Sequence, residues 1–262
     1  MMNGFRLYGR YVSVAVRCVM AYRGSFFLGL LSRFLAAFRG LIALGFLFSG
    51  FAHIKGYAYA DVLLCYAVIE LSFAIAECVS SGFASFAAQI RRGGFDTVLV
   101  RPRSAMLQVL GAGFELERSG AMISALLALG LGLHVHPVAF TPMRMAALLL
   151  MIAGGAGVFV GLFMLGAAIC FFAVEESSAL NLFTYGGRDH GKYPIDVYGK
   201  GLFRFCTFVI PYTLVQYYPL QYLTGRSENW HLGLYPIGSL LFLGACCALW
   251  RLGVRHYAST GS

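Results

Sequence analysis

The chain has 262 residues, of which 59% are hydrophobic and 12% charged, with a mean hydropathy of +0.74. A water-soluble domain carries about 25% charged residues, so this composition excludes one and points to lipid as the solvent. The formal net charge of +9 sits in short connections between apolar segments, a pattern explained by orientation in a bilayer and not by nucleic acid.

Residues 1–23 lack the uninterrupted apolar stretch of a signal peptide and carry Arg6, Arg10, Arg17 and Arg23 along their length. Arg6, Arg10, Ser13 and Arg17 recur at i, i+4, i+7 and i+11. This spacing predicts a basic amphipathic helix in the inner headgroup layer, with Leu7, Val14, Cys18 and Tyr22 opposite or beside the charged face. A first crossing is expected at about 29–51 and contains Arg33 and Arg39. Arg33 can snorkel to the inner surface. Arg39 lies about 9 Å further along the helix, so either it faces protein or the membrane core starts later. A second crossing at about 59–83 contains Glu70 and Glu77, seven residues apart on one helical face. Carboxylates at that depth turn toward protein or a polar cavity.

Residues 89–103 are too polar to span and too apolar for a free linker, with a chain break at Gly93-Gly94 and a stop at Pro102. A third crossing occupies about 120–135, bounded by Pro137, and a fourth about 145–174, preceded by Pro142. In the fourth, Gly157 and Gly161 form a GxxxG step suited to close helix contact. Residues 175–201 read as a polar inner connection with Arg188, Lys192 and Lys200. A fifth apolar region at 202–223 is interrupted by Pro211 and Pro219, so it is expected to be broken or re-entrant. The last crossing is expected at about 232–252.

With six crossings and the N-terminus inside, 15 of the 20 basic residues fall on inner segments; Lys55, Arg144 and Arg226 fall outside, and Arg33 and Arg39 lie within the first crossing. The bias that governs insertion therefore places both termini in the cytoplasm.

No HExxH, GxSxG or Walker motif occurs, so no catalytic residue, cofactor site or metal site is assigned and ATP-driven work would need a partner's ATPase. His134 and His136 are two apart, off a common helix face, and read as markers of the outer interface. The seven cysteines fall almost wholly in apolar segments without a CxxC pair and read as small buried hydrophobes.

Four blocks carry a family resemblance: GFDTVLVRP at 94–102, YPIDVY at 193–198, IPYTLVQYYP at 210–219 and WRLGVRHYASTGS at 250–262. Taken with six crossings, the chain resembles the permeases of ABC-2 type ABC transporters, in particular a branch with paired permeases and a separate ATPase. The resemblance implies an all-α polytopic fold of six transmembrane helices, type V exporter-like, over a single permease domain at 1–262, with an N-terminal amphipathic interfacial helix and a broken fifth helix. It implies a bacterial cytoplasmic membrane location, an export role, a second permease (homo- or heterodimer), lipid contact and ABC ATPase partners holding ATP and Mg2+. It places an ATPase-coupling helix within 89–108, with Arg91, Arg92, Asp96, Arg101 and Arg103 as polar contacts. The residues alone allow an ordinary basic loop there.

For the pathway or subunit interface, the resemblance points to Gln216, Tyr217 and Tyr218; the tyrosines also suit an outer membrane anchor. Glu70 and Glu77 are read as paired, with Arg39 or with an arginine across the interface, in preference to touching substrate. An ion-coupled secondary transporter and a non-transporting assembly protein are the alternative functions.

Overall fold

The computed structural model describes residues 4–136, 141–172 and 181–257. The helices in chain order are α1 (Gly4–Ala21), α2 (Arg23–Gly50), α3 (Tyr59–Ala84), α4 (Phe86–Arg91), α5 (Gly94–Leu99), α6 (Ala105–Ala112), α7 (Ser119–Val135) and α8 (Pro142–Ile169). They continue with α9 (Gly187–Gly191), α10 (Lys200–Phe208), α11 (Tyr212–Val215), α12 (Tyr217–Leu223) and α13 (Ser239–His256). Between α2 and α3 lies a hairpin of β1 (His53–Ile54) and β2 (Tyr57–Ala58), pairing Ile54 with Tyr57. Its two-residue turn has Lys55 at φ 48 and Gly56 at φ 81, the doubly left-handed geometry that matches strand twist.

Five helical stretches are long and apolar enough to cross a membrane: Arg23–Gly50, Tyr59–Arg91, Leu116–Val135, Pro142–Ile169 and Trp230–His256. These correspond to the first, second, third, fourth and last expected crossings. Pro137 and the end of the fourth expected crossing lie outside the described residues.

Helix α3 is buried on every side, as expected for a helix enclosed by others, with Glu70 and Glu77 forming one polar face. α8 and α7 flank it, and α13 packs on the far side of α8. Small residues set these approaches. A Cβ at Gly120 of α7 would collide with Leu30 O of α2, and one at Gly82 of α3 with Val109 O of α6. The GxxxG pair serves a contact within the chain: Gly157 faces Ser239 and Gly161 faces Phe242 and Cys246, all on α13. Thr141 starts α8 by accepting a hydrogen bond from Arg144 N at 3.4 Å, with Pro142 at the first helical position.

The N-terminal helix forms, with Arg6, Arg10, Ser13 and Arg17 exposed as expected. Its packed side differs from the expected one. Tyr11 lies against Gly111 of α6 and Val12, Ala15, Val16 and Val19 are half-buried, while Val14, Cys18 and Tyr22 are exposed. Five of the seven cysteines are buried, Cys247 is partly covered and Cys18 is exposed; all are free.

The region at 202–223 is broken at its prolines, as expected, and turns back on itself instead of running on as one helix. Residues 182–198, expected to be a connection, run antiparallel along α3. Tyr185 meets Glu77, Lys192 meets Glu70, Gly191 meets Cys65 and Ile69, and Asp196 meets Tyr57. This path is broken into a wide turn (Leu182–Gly186), α9 and a tight turn (Ile195–Tyr198). Residues 200–223 then form a re-entrant hairpin. α10 leaves from beside Lys55, the chain reverses at Pro211 in mid-molecule where Tyr212 stacks on Phe159, and α12 returns toward Arg226 and Asp61. Pro211 lacks the donor needed to continue α10, and Thr213 Oγ1 closes the bend by donating to Cys206 O at 3.1 Å.

The charge distribution changes accordingly. Arg6, Arg10, Arg17, Arg23, Arg91, Arg92, Arg101, Arg103, Arg118, Arg251 and Arg255 share the end of the bundle that bears α1 and α4–α6. Lys200 and Arg204 move to the opposite end beside Lys55, which also holds Arg144 and Arg226. Arg33, Arg39, Arg188 and Lys192 lie between the two ends around one cavity.

Candidate functional site

Three assemblies of polar residues stand out, one at each end of α3 and one beside its middle. At the end bearing α1, the chain leaves α3, turns through α4, reverses at Gly93 in the left-handed region (φ 65) and runs through α5. Phe86 and Phe95 point inward and stack edge-on, at centroid distances of 5.1 Å from each other, with Phe171 and Trp250 completing the cluster. Those four rings come from α4, α5, the turn just after α8 and α13, so α5 is fixed to α4, which continues α3, and to two long helices, α8 and α13. Gln108 clamps the following turn, donating from Nε2 to Val98 O at 3.1 Å and to Arg103 O at 3.2 Å. Of the predicted coupling residues, Arg91, Arg92, Arg101 and Arg103 are exposed beside Leu99 and the 85% exposed Val100. Asp96 accepts a hydrogen bond from Tyr257 Oη at 3.0 Å and so ties α5 to the C-terminal segment. The arrangement is a basic, partly apolar ledge on a rigid aromatic base.

Beside the middle of α3 lies a cavity of about 530 Å3 between α2 and residues 185–192. Glu70 and Glu77 both line it and both are buried. Their pairing is as expected, but the partners are not. Glu70 pairs with Lys192, Oε1 lying 2.9 Å from Nζ and 3.8 Å from Arg188 Nε, and Glu77 pairs with Arg118 and lies 3.4 Å from Tyr185 Oη. Asp189 also accepts from Lys192 at 2.8 Å and from Arg188 at 3.3 Å. Arg188 lies over the Phe73 ring at 4.9 Å. Arg39, the partner proposed from sequence, shares the cavity wall with Arg33, and neither has a carboxylate within salt-bridge distance among the described residues.

At the opposite end, Asp61 near the start of α3 gathers three elements. His136 Nε2 lies 3.0 Å from its Oδ1, Arg226 Nη2 donates to its Oδ2 at 2.8 Å, and Arg226 also covers the Tyr57 ring at 4.0 Å. Tyr57 Oη donates to Asp196 Oδ2 at 3.1 Å and accepts from Gln221 Nε2 at 2.9 Å. The Tyr57 phenol is pushed up, chiefly by burial and then by the Asp196 carboxylate, with Arg226 pulling the other way. His136 is thus a buried partner of Asp61, while His134 is exposed.

The three pathway candidates on the hairpin separate. Gln216 is fully buried and holds the fold: its Nε2 donates to Gly191 O at 2.7 Å and Tyr193 O at 2.6 Å, and its Oε1 accepts from Ile195 N at 3.3 Å. It has no free group for substrate, which corrects that role. Tyr217 stacks edge-on to Phe203 at 5.0 Å and lines a second cavity with Lys55, Asp196, Lys200 and Arg204. Tyr218 packs on Tyr235 at 4.8 Å.

Arg118, Tyr185, Arg188, Asp189 and Lys192 are the residues that sequence reasoning missed. Arg188 and Lys192 are four apart on one helical face, a signal that was present but read as part of an inner loop.

No curated protein and no solved structure matches the chain. The family model described as ABC-2 family transporter protein matches residues 34–261, spanning the five membrane-length helices except the start of the first. This chain is therefore a membrane component of the ABC-2 transporter family, a permease of the kind that works with ABC ATPase partners.

Proposed function

We propose that this chain is one of two permease subunits of an ATP-driven exporter in a bacterial cytoplasmic membrane, with 1–262 acting as one permease domain. ATP and Mg2+ belong to separate ATPase subunits. Residues 182–198 act as a broken fifth passage, which gives six passages and places both termini on one side. The α1 end carries eleven of the 20 basic residues against five at the opposite end, and that bias favours the α1 end as cytoplasmic.

The observation that carries the reading is the exposed ledge of Arg91, Arg92, Arg101, Arg103 and Val100, backed by the Phe86–Phe95–Phe171–Trp250 cluster. A push on α5 is delivered to α3, α8 and α13 because aromatic packing couples them without slack. ATP binding closes the ATPase pair, tilts this ledge and favours the arrangement that opens outward; hydrolysis resets it. Work is transmitted only if the two arrangements contact the ATPase differently.

The test is co-purification of the chain with its ATPase and transport in liposomes. Charge reversal at Arg91→Glu and Arg92→Glu is expected to uncouple ATP turnover from transport while the permease still inserts. Transport by the chain alone along an ion gradient would refute this reading in favour of a secondary transporter. Stable partner binding with no nucleotide-dependent transport would identify an assembly protein.

A further inference from the structure

Arg39 stands sixteen residues into α2 and eleven from its end, about 24 Å and 17 Å along the axis. That is mid-depth in a hydrocarbon layer about 30 Å thick. It interrupts an exposed apolar stripe of Leu35, Ile42 and Phe46, which are 55%, 47% and 75% exposed and fall on the same helical face at i−4, i+3 and i+7. Arg33 lies on the same cavity wall and is likewise exposed. Across the cavity, the carboxylates are committed: Glu70 and Asp189 to Lys192 and Arg188, Glu77 to Arg118. Arg188 Nε is buried and makes no hydrogen bond. Among the described residues, the cavity therefore presents two guanidiniums without a carboxylate partner, and an Arg188 Nε that lies 3.8 Å from Glu70 without a hydrogen bond, at a depth where such groups are expensive and mark binding paths.

A second copy of this chain is a poor source of the missing anion. Among the described residues, Asp61, Glu70, Glu77, Asp189 and Asp196 each already hold a cation or a phenol, and Glu117, which pairs with no cation, lies against Gly29, about 15 Å along α2 from Arg39. A small soluble anion would match the charge but leave the flanking apolar stripe against nothing of its own kind. An amphiphile answers both features, and the cavity, about 530 Å3, has room for a headgroup but not for acyl chains as well.

We propose that this cavity binds the headgroup of an anionic amphiphile, with Arg33 and Arg39 recognising its charge and the tail lying along the Leu35, Ile42 and Phe46 stripe of α2. Guanidiniums suit this task because their planar fork meets phosphate or carboxylate oxygens in pairs. The proposal rests on the chain being membrane-embedded and is independent of the ATPase coupling.

The test is native mass spectrometry of the full-length protein released from mixed vesicles of phosphatidylglycerol and phosphatidylcholine. Phosphatidylglycerol is expected to be retained roughly tenfold or more over phosphatidylcholine. Arg33→Gln with Arg39→Gln should abolish the preference, Arg33→Lys with Arg39→Lys should keep most of it, and Lys200→Gln at the other end should leave it unchanged. Equal retention of the two lipids, or a preference that survives the double glutamine variant, overturns the proposal. Thermal protection by glycerol phosphate without any lipid preference overturns the amphiphile assignment in favour of a soluble anion. Dissociation of an oligomer by the double variant with unchanged lipid retention overturns it in favour of a partner contact. Because ATP turnover of the assembled complex reads the Arg91 and Arg92 ledge separately, loss of the lipid preference leaves the permease reading standing.

Discussion

Gln216 on the 200–223 hairpin donates to Gly191 O at 2.7 Å, so one amide fastens the hairpin to the broken segment that runs along α3. The same Nε2 donates to Tyr193 O and lies 2.8 Å from Cys65 Sγ of α3. Carbonyls of a broken helix inside a membrane have no water to turn to and must find a side chain. Gln216→Leu keeps the volume and strands Tyr193 O and the Ile195 N–H, leaving Gly191 O with Cys65 Sγ alone. The expected loss is about 1–3 kcal/mol, toward the low end because a chain unfolded within the bilayer also finds partners. Reversible unfolding in mixed micelles measures it, and a variant as stable as the parent would show that the hairpin is held by packing alone.

The Glu70–Lys192 pair makes a second prediction. Glu70→Leu leaves two cations facing a buried site. Loss of one partner of a buried pair costs about 3–5 kcal/mol; here that is an upper bound, since Lys192 keeps Asp189 at 2.8 Å. Adding Lys192→Met should recover much of the loss, because paired apolar replacements remove both desolvation penalties. A double-mutant cycle on unfolding free energies reads the coupling. Additive effects would mean the two residues act independently.

Tyr57 gives a pH dependence. Its phenol titrates above the usual tyrosine range in the folded chain, because burial and Asp196 disfavour the phenolate. The folded state therefore keeps its proton longer than the unfolded state does. The stability it contributes is intact below about pH 10 and is lost as pH rises beyond that toward the folded value. Over roughly pH 9–11, Tyr57→Phe should show the same phenolate absorbance as the parent while folded, with the difference emerging only on unfolding. A difference in the folded proteins within that range would place Tyr57 in water.

How far the sequence carries depends on which physical signal sets each feature. The passages at α2, α3, α7, α8 and α13 were legible because length and apolarity are what lipid demands. The breaks that bound α5, at Gly93-Gly94 and Pro102, were legible from the residues, while the helix itself was expected only from the family resemblance. The carboxylates of Glu70 and Glu77 announced paired sites, because charge at depth is costly whatever the fold. Their partners were not legible: Arg118 and Lys192 are 41 and 122 residues away in sequence, and only the antiparallel packing of 182–198 on α3 brings Lys192 to Glu70. The position of residues 182–198 beside α3 was missed for a related reason. Residues 182–198 carry Arg188, Asp189 and Lys192, so hydropathy rejects them, yet they are tolerated because their charges are matched inside protein instead of facing lipid. Residues 202–223 looked like the passage because they are apolar, and they are apolar because a re-entrant hairpin must also be buried.

That exchange of roles yields a sharp topological prediction. Ser104 lies beside Arg251 and Arg255 at the α1 end, and Ser227 follows Arg226 at the opposite end. Lys200 lines the cavity shared with Lys55 and Asp196, so it belongs with Ser227, whereas hydropathy alone groups it with Ser104. In a background lacking the exposed Cys18, single cysteines at Ser104, Ser227 and Lys200 can be labelled in intact cells with a membrane-impermeant maleimide. Labelling is expected at Ser227→Cys and Lys200→Cys, with Ser104→Cys reacting only after the membrane is permeabilised. If Lys200→Cys instead followed Ser104→Cys, residues 182–198 would not traverse the bilayer, and the re-entrant hairpin would have to be a true passage. If all three reacted alike, the two ends of the bundle would not be separated by a membrane at all, and the orientation argued from the arginine bias would fall with them.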